Sequence, residues 1–275
     1  MTTEPAAFEV VVVGSGGAGM TAALAAAHQG LDVVVIEKTG QFGGSTARSG
    51  GGLWVPGNEV LRRAGVADSP EQASAYLAHV VDGCVSAERQ KALLEYGPAM
   101  VGFVRAHTPV DFAWVPNYAD YYPEAPGGLA KGRSIEPVPL NGRVLGAELT
   151  HLNPPYLPAP DGVTITQRDY RWLSLGPRHP RAMLAAAKVA GRMARARLLK
   201  QHTLSLGQAL AAGLRAGLLT KGVPVWLDTP MTGLHVVDGR VAGVQVTRDG
   251  AGDLILATRG VVLAAGGFER NEQMR

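Results

Sequence analysis

Glu9-Val10-Val11-Val12-Val13-Gly14-Ser15-Gly16-Gly17-Ala18-Gly19 is the stretch that decides the fold. A Val-rich run without polar alternation suits a strand buried on both faces of a parallel sheet. An Ala-rich segment, Ala18 to Gln29, follows, and then a second apolar run, Leu31 to Ile36. Strand, helix and strand in this order form the crossover unit that parallel pairing requires. The glycines between the first strand and its helix read as G-x-G-x-x-G. Gly14 permits a tight turn, Gly16 permits close approach of a pyrophosphate, and Gly19 permits the helix to touch the sheet. The free N–H groups at the helix start and the positive end of the helix dipole favour phosphate charge. Glu37 ends the second strand 18 residues after Gly19, close to the spacing of about 20 at which a carboxylate accepts from ribose hydroxyls. An ordinary Gly-rich turn with a surface glutamate does not need this strand context. We therefore expect an α/β, Rossmann-like dinucleotide domain.

Working outward, Thr39 to Asn58 is Gly-rich and aperiodic and reads as a functional loop. Ser69-Pro70-Glu71-Gln72 opens a helix with a capping Ser and an N-terminal Pro, and Ser86 opens another running toward Tyr96. Between Phe112 and Trp172 the chain is Pro-rich and holds Tyr118, Tyr121, Tyr122, Tyr156 and Tyr170, so it is expected to line something apolar. Arg181 to Gln201 and Leu206 to Leu219 read as helices. Lys188, Arg192 and Arg195 form a stripe on the first, expected to be solvated. A small antiparallel meander is expected over 223–258, with Asp238-Gly239 as its hairpin turn. Gly260 to Ala265 reads as one more buried strand, ending in Gly266-Gly267.

Composition narrows the function. With 275 residues, 46% hydrophobic, 18% charged, 36 Gly and 18 Pro, the chain is globular and rich in turns rather than disordered. A net charge of +3 is no nucleic-acid footprint. Cys84 is the single cysteine, which excludes an internal disulfide and a Cys-based metal site; it reads as a small buried residue, and we expect a cytoplasmic protein with no metal. Val10 to Ala27 is apolar, but its glycines argue against a membrane-spanning helix, and the residues before it lack the charged start of a secretory signal.

NAD and FAD share the G-x-G-x-x-G fingerprint. Gly43-Gly44-Ser45-Thr46 and Ser49-Gly50-Gly51-Gly52 form a second Gly-rich stretch that could reach past a pyrophosphate toward an isoalloxazine ring, which a plain nicotinamide domain does not need. This stretch and the meander favour FAD.

The sequence also resembles the fumarate reductase and succinate dehydrogenase flavoprotein superfamily, and within it the bacterial 3-ketosteroid Δ1-dehydrogenases. The resemblance covers nearly the whole chain. It rests on Val11-Val12-Val13 through Gly19, Glu37-Lys38-Thr39, Phe42 through Thr46, Ser49 through Asn58, Asp120-Tyr121-Tyr122, and Gly260 through Glu269. Trp54-Val55-Pro56-Gly57 and Asp120-Tyr121-Tyr122 are the segments more specific to the steroid enzymes. It implies cofactor contacts at Gly14, Ser15, Gly16, Gly17, Ala18 and Gly19; at Glu37, Lys38 and Thr39; at Gly43, Gly44, Ser45, Thr46, Ser49, Gly50 and Gly51; and at Ala264, Ala265 and Gly266. Ser45 stands where covalent members carry histidine, so the FAD is expected to be non-covalent.

By residue type alone Tyr121 reads as an aromatic core residue. The resemblance makes it an active-site tyrosine that supports the base. The reaction it implies removes a proton from C2 and a hydride from C1 of a 3-ketosteroid, the hydride going to flavin N5 and the electrons onward to an acceptor such as a quinone. Two alternatives remain: a fumarate reductase-like flavoprotein acting on another enone or a dicarboxylate, and a truncated, non-catalytic flavin-binding fragment. Residues 1–275 read as an FAD-binding domain. The superfamily's inserted catalytic domain and its C-terminal flavin segment have no counterpart here, so the chain is expected to be the front of a longer protein, with weak or absent turnover by itself.

Overall fold

The structure, a computed structural model, describes residues 4–156, 163–268 and 272–274. Glu269 and part of the Pro-rich stretch, residues 157–162, lie outside them. In chain order the strands and helices are β1 (Ala6–Val13), α1 (Gly17–His28), β2 (Val33–Ile36), α2 (Gly44–Arg48), β3 (Leu53–Trp54), α3 (Glu59–Arg63), α4 (Pro70–Val81), α5 (Ala87–His107), β4 (Phe112–Trp114), β5 (Ser134–Pro137), β6 (Leu140–Asn141), α6 (Gln167–Leu173), α7 (Pro180–Leu198), β7 (Thr203–Leu204), α8 (Leu206–Thr220), β8 (Val225–Trp226), β9 (Met231–Val237), β10 (Arg240–Arg248) and β11 (Ala251–Leu263). The chain divides into two compact units. One gathers the described residues up to Ser49, the segment that begins at Gly142, and those from Leu210 onward. The other gathers Gly50–Asn141 and the segment that ends at Ala209.

The first unit is built on a six-stranded sheet in the order β8-β2-β1-β11-β10-β9. β8, β2, β1 and β11 run parallel, while β10 pairs antiparallel with both β11 and β9. All four residues of β2 are buried, as are Val10 to Val13, because the helical crossovers of a parallel sheet leave neither face to solvent. The core centres on Val11, Val13, Val34, Ile36, Val244 and Ile255, with Phe8 and Trp226 meeting edge to face at 5.5 Å against it.

Three sequence expectations change here. The strand near Val223–Leu227 is not part of the meander; β8 joins the opposite edge, parallel to β2. The expected strands Leu254–Ala257 and Gly260–Ala265 are one 13-residue strand, β11, paired with β10 up to Leu256 and with β1 as far as Leu263. A register shift between Phe8 and Val10 accommodates the extra residue. Beyond Leu256, β11 keeps a partner on the β1 side only, so Val262 and Leu263 are exposed rather than buried.

The second unit contains the sheet β3-β5-β4, the two-stranded β6-β7 pair and helices α3 to α7. Ser69 caps α4 by accepting from the Gln72 N–H at 3.2 Å, and Pro70 sits at the first helical position, as the sequence pattern requires. The expected loop from Thr39 to Asn58 contains one helical turn, α2, in the first unit and β3 in the second. Cys84 is exposed, a correction: it lies in a turn after α4, beyond the helix's buried face. The stripe on α7 is not merely solvated either, since Arg192 pairs with Asp169 and donates to the Thr164 carbonyl at 3.0 Å. Among the described residues no helix is long and apolar enough to cross a membrane, and no cluster of His, Cys, Asp or Glu could hold a metal ion.

Candidate functional site

The G-x-G-x-x-G loop joins β1 to α1 in the first unit, and each glycine answers a steric demand. Gly14 has φ +102°, and a Cβ on it would overlap the Ala264 carbonyl. A Cβ on Gly19 would overlap the carbonyl oxygen of Gly14, so only glycine lets α1 sit this close to the strand end. At Gly16 the situation reverses, since the nearest atom to an added Cβ is Thr46 Oγ1 at 3.9 Å. Gly16 caps α1 without a side-chain bond, Ala18 is exposed, and the first turn of α1 carries no acidic side chain. The mouth of the loop is thus an open helix N-terminus, suited to an anion.

Two contacts hold this mouth in shape. Thr46 Oγ1 accepts from the Gly17 N–H at 2.9 Å, fastening α2 to the start of α1. Glu37 is buried just past β2; its Oε2 accepts from the Ser15 N–H at 3.1 Å and from Ser15 Oγ at 2.6 Å, while Oε1 accepts from the Thr39 N–H at 3.1 Å. The carboxylate that the spacing directs toward a ribose therefore also braces the phosphate loop. Gly43, with φ +103°, gives its N–H to the Ser15 carbonyl at 3.1 Å, drawing the second Gly-rich stretch against the first. Ala264 follows β11, gives its N–H to the Val13 carbonyl at 2.8 Å and backs the Gly14 turn. Lys38, Thr39, Ser45 and Ser49 are exposed, as are Ala265 and Gly266.

The first unit thus unites Gly14 to Gly19, Glu37 to Thr39, Gly43 to Ser49 and Ala264 to Gly266. Gly50, Gly51 and Tyr121 belong to the second. There, Gly51 is buried, and a Cβ on it would press on the Leu206–Gly207 backbone. The residues of the first unit fit a dinucleotide: an open helix start, a cradle cleared at Gly16, and a carboxylate beside it. Arg48 adds to this fit and was missed by sequence reasoning. Its Nε is buried with no hydrogen-bond partner, while its guanidinium stacks over Tyr156 at 4.1 Å. No motif spacing marks an arginine inside a single-turn helix.

Asp120-Tyr121-Tyr122 has a different construction. Asp120 is buried; Oδ1 accepts from Trp54 Nε1 at 2.8 Å, Oδ2 accepts from the Leu129 N–H at 3.0 Å, and Arg133 pairs with it. Arg133 is itself wholly buried, bonded to Asp68 at 2.9 Å and to the Gly127 carbonyl at 2.8 Å. Tyr76 Oη accepts from the Tyr122 N–H at 3.3 Å. Between these two anchors Tyr121 projects outward and is 88% exposed, so it is not an aromatic core residue. All five tyrosines of the Pro-rich stretch lie at the surface. Asp68 and Arg133 carried no signal in the sequence, because nothing in their spacing ties them to Asp120.

Comparison with known proteins follows the same lines. The FAD binding domain family matches residues 9–275. The chain is 52% identical over 273 residues to the 3-oxosteroid 1-dehydrogenase of Mycobacterium tuberculosis (strain ATCC 25618 / H37Rv), an alignment covering 98% of this chain and 48% of that protein. With the Mycolicibacterium smegmatis protein of the same name the identity is 50%, with the same coverage. Among solved structures, 3-ketosteroid delta1-dehydrogenase from Sterolibacterium denitrificans in complex with 1,4-androstadiene-3,17-dione superposes with a TM-score of 0.88 at 37% identity, over 98% of this chain and 49% of that one. The chain spans about half the length of the curated relatives it matches.

Proposed function

This chain belongs to the FAD binding domain family, and we propose that it is the FAD-holding half of a flavin oxidoreductase that introduces a C1–C2 double bond into 3-ketosteroids. The observation that carries the reading is the presentation of Tyr121: an exposed phenol held out by a buried Asp120–Arg133 anchor, in a chain 52% identical to a 3-oxosteroid 1-dehydrogenase. FAD, when bound, supplies the acceptor for the hydride. The chain's own residues hold and orient it. Ser15 to Gly19 hold the pyrophosphate against the start of α1, Glu37 orients the ribose, and Gly43 to Ser49 line the path toward the ring. With serine at position 45, the cofactor is held without a covalent bond.

Tyr121 stands beside the steroid and hydrogen-bonds the base that takes the C2 proton, a tyrosine expected in the part of the relatives that this chain does not span. A tyrosine has an ordinary pKa of about 10, so a base of this kind needs such a polarising neighbour. Electrons leave to a diffusible acceptor such as a quinone, in the cytoplasm, consistent with a single cysteine in the chain.

The test has two stages. Purified chain is expected to take up FAD and show the visible spectrum of bound flavin; absence of bound flavin in folded protein would overturn the cofactor reading. Completed with the second half of the Mycobacterium tuberculosis relative, the chain is expected to reduce an artificial acceptor with 4-androstene-3,17-dione. Tyr121→Phe is then expected to keep flavin and melting temperature while kcat falls by roughly two to four orders of magnitude. A near-normal kcat would remove Tyr121 from the site. Fumarate is expected to leave the flavin spectrum unchanged; a fumarate-induced shift would favour the dicarboxylate alternative.

A further inference from the structure

The cofactor site uses nothing from Trp54-Val55-Pro56-Gly57, although this segment stands out in the sequence as much as Asp120-Tyr121-Tyr122 does. Both segments lie in the second unit, where the chain folds one onto the other. Trp54 ends β3, which pairs antiparallel with β5 so that Trp54 stands opposite Ser134, the residue after Arg133. Val55 is buried, and Pro56-Gly57 turns the chain, with Gly57 at φ +67° as a Pro-Gly turn requires. Asn58 closes the turn. Its side-chain amide donates to the Val55 carbonyl at 2.6 Å, and its oxygen accepts from the Val60 and Leu61 N–H groups, starting α3.

The two ends of this turn reach the two carboxylates that pair with Arg133. At one end Trp54 Nε1 donates to Asp120 Oδ1 at 2.8 Å; at the other the Gly57 N–H donates to Asp68 Oδ2 at 3.1 Å. The guanidinium between those carboxylates lies 5.9 Å from the centre of the Trp54 ring and 5.7 Å from that of Tyr76, and the two rings stand 5.8 Å apart. Tyr76 in turn accepts from the Tyr122 N–H. The residues on either side of Tyr121 are thus tied to one cluster, Asp120 through Trp54 and Tyr122 through Tyr76.

What Trp54 adds is direction rather than charge. Arg133 and the Leu129 N–H both bind Asp120 Oδ2. Bonds to one oxygen neutralise a carboxylate but leave its plane free to swing; a neutral donor on the other oxygen fixes that plane. The backbone from which Tyr121 projects is fixed with it. We propose that Trp54 is a positioning residue for Tyr121, its indole N–H setting through Asp120 the direction in which the phenol meets the steroid and the base. This role rests on the reading of Tyr121 proposed above.

The test begins with the chain itself, its Tyr121 ring carrying a fluorine label. The parent is expected to give one narrow fluorine resonance. Exchanging Trp54 for benzothienylalanine, which puts sulfur in place of the N–H and keeps the shape of the ring, is expected to shift or broaden that resonance while circular dichroism and melting stay close to those of the parent. Trp54→Phe is expected to do the same, and should it fail to fold, the sulfur isostere carries both stages. A resonance that ignores the loss of the N–H overturns the proposal, whatever the steroid chemistry. In the chain completed with the second half of the Mycobacterium tuberculosis relative, loss of the N–H is expected to lower kcat by up to about a hundred-fold, as for a displaced catalytic group. Combined with Tyr121→Phe it is expected to cost nothing further, because nothing is left to position. A full additional loss in the combined variant overturns the proposal and assigns Trp54 to general stability. The two readings fail separately. Near-normal kcat in Tyr121→Phe removes the catalytic reading and the proposal with it, whereas parental kcat without the Trp54 N–H, beside a crippled Tyr121→Phe, removes the proposal alone.

Discussion

The loop from Gly14 to Gly19 and the loop carrying Tyr121 both present functional groups to solvent, but they are built from opposite materials. The first is made of backbone, its shape enforced by the places where a Cβ has no room. The second is held by side chains, a buried arginine between two buried carboxylates, with Trp54, Leu129 and Gly127 taking up remaining donors and acceptors. A backbone-built site tolerates no added atom at its contact points. A charge-built site tolerates no lost partner, because burying ions is recovered only while every one of them stays paired.

The largest effect is expected where that pairing is broken. Arg133→Met keeps an unbranched apolar stem and leaves Asp68 and Asp120 buried without their cation, for which about 3–5 kcal/mol is the expected loss. This is a large share of the about 5–15 kcal/mol that stabilises a domain. Denaturant titration of the variant is expected to show it, and a loss under about 1 kcal/mol would mean the Tyr121 loop is held by packing instead.

Next comes Gly19→Ala, which drives a methyl into the Gly14 carbonyl and is expected to cost about 3 kcal/mol, the upper end for overpacking. Gly16→Ala is its counterpart: the space is open at 3.9 Å, so the melting temperature is expected to hold while flavin affinity falls. Were the two variants equally stable, the steric account of the loop would fail. Ser15→Ala removes the hydroxyl donated to Glu37 and is expected to cost about 1.5–3 kcal/mol, as for hydrogen bonds to charged groups, read by thermal melting without ligand.

The contrast explains what the sequence could and could not tell. A backbone site leaves a trace in fixed spacing, since Gly14, Gly16, Gly19 and Glu37 must stand in order along one strand, helix and strand. The anchor beneath Tyr121 leaves none, because Asp68 and Arg133 lie 65 residues apart and become partners only when the chain has folded. Strand ends were misjudged for a related reason. Apolar content announced Gly260 to Ala265 as a strand, but not that β10 would end early and leave Leu263 exposed. Cys84 follows the same pattern, since its residue type favours burial and its turn position decided otherwise.

The smallest effect is expected at a second Asp–Arg pair, which sharpens the comparison by being more open to water. Asp169 lies at the third position of α6, where it and Thr166 cap each other, and it also pairs with Arg192. Burial raises the pKa of its carboxyl, but hydrogen bonds from Arg192 and from the backbone and hydroxyl of Thr166 more than reverse this, so the group sits below the usual aspartate value. A carboxyl whose folded pKa is depressed contributes stability above its unfolded pKa of about 3.9 and loses it as pH falls through the folded value. The contribution is therefore expected at neutral pH and absent only in acid well below pH 4. Because the Arg192 side chain is about one-third exposed, solvent screening limits it to about 1 kcal/mol or less. Asp169→Asn, which keeps the acceptor for Thr166 and removes the charge, is expected to melt slightly below the parent at pH 7, with the gap closing below pH 4. A gap that persisted unchanged at pH 2 would assign the difference to cap geometry rather than to charge.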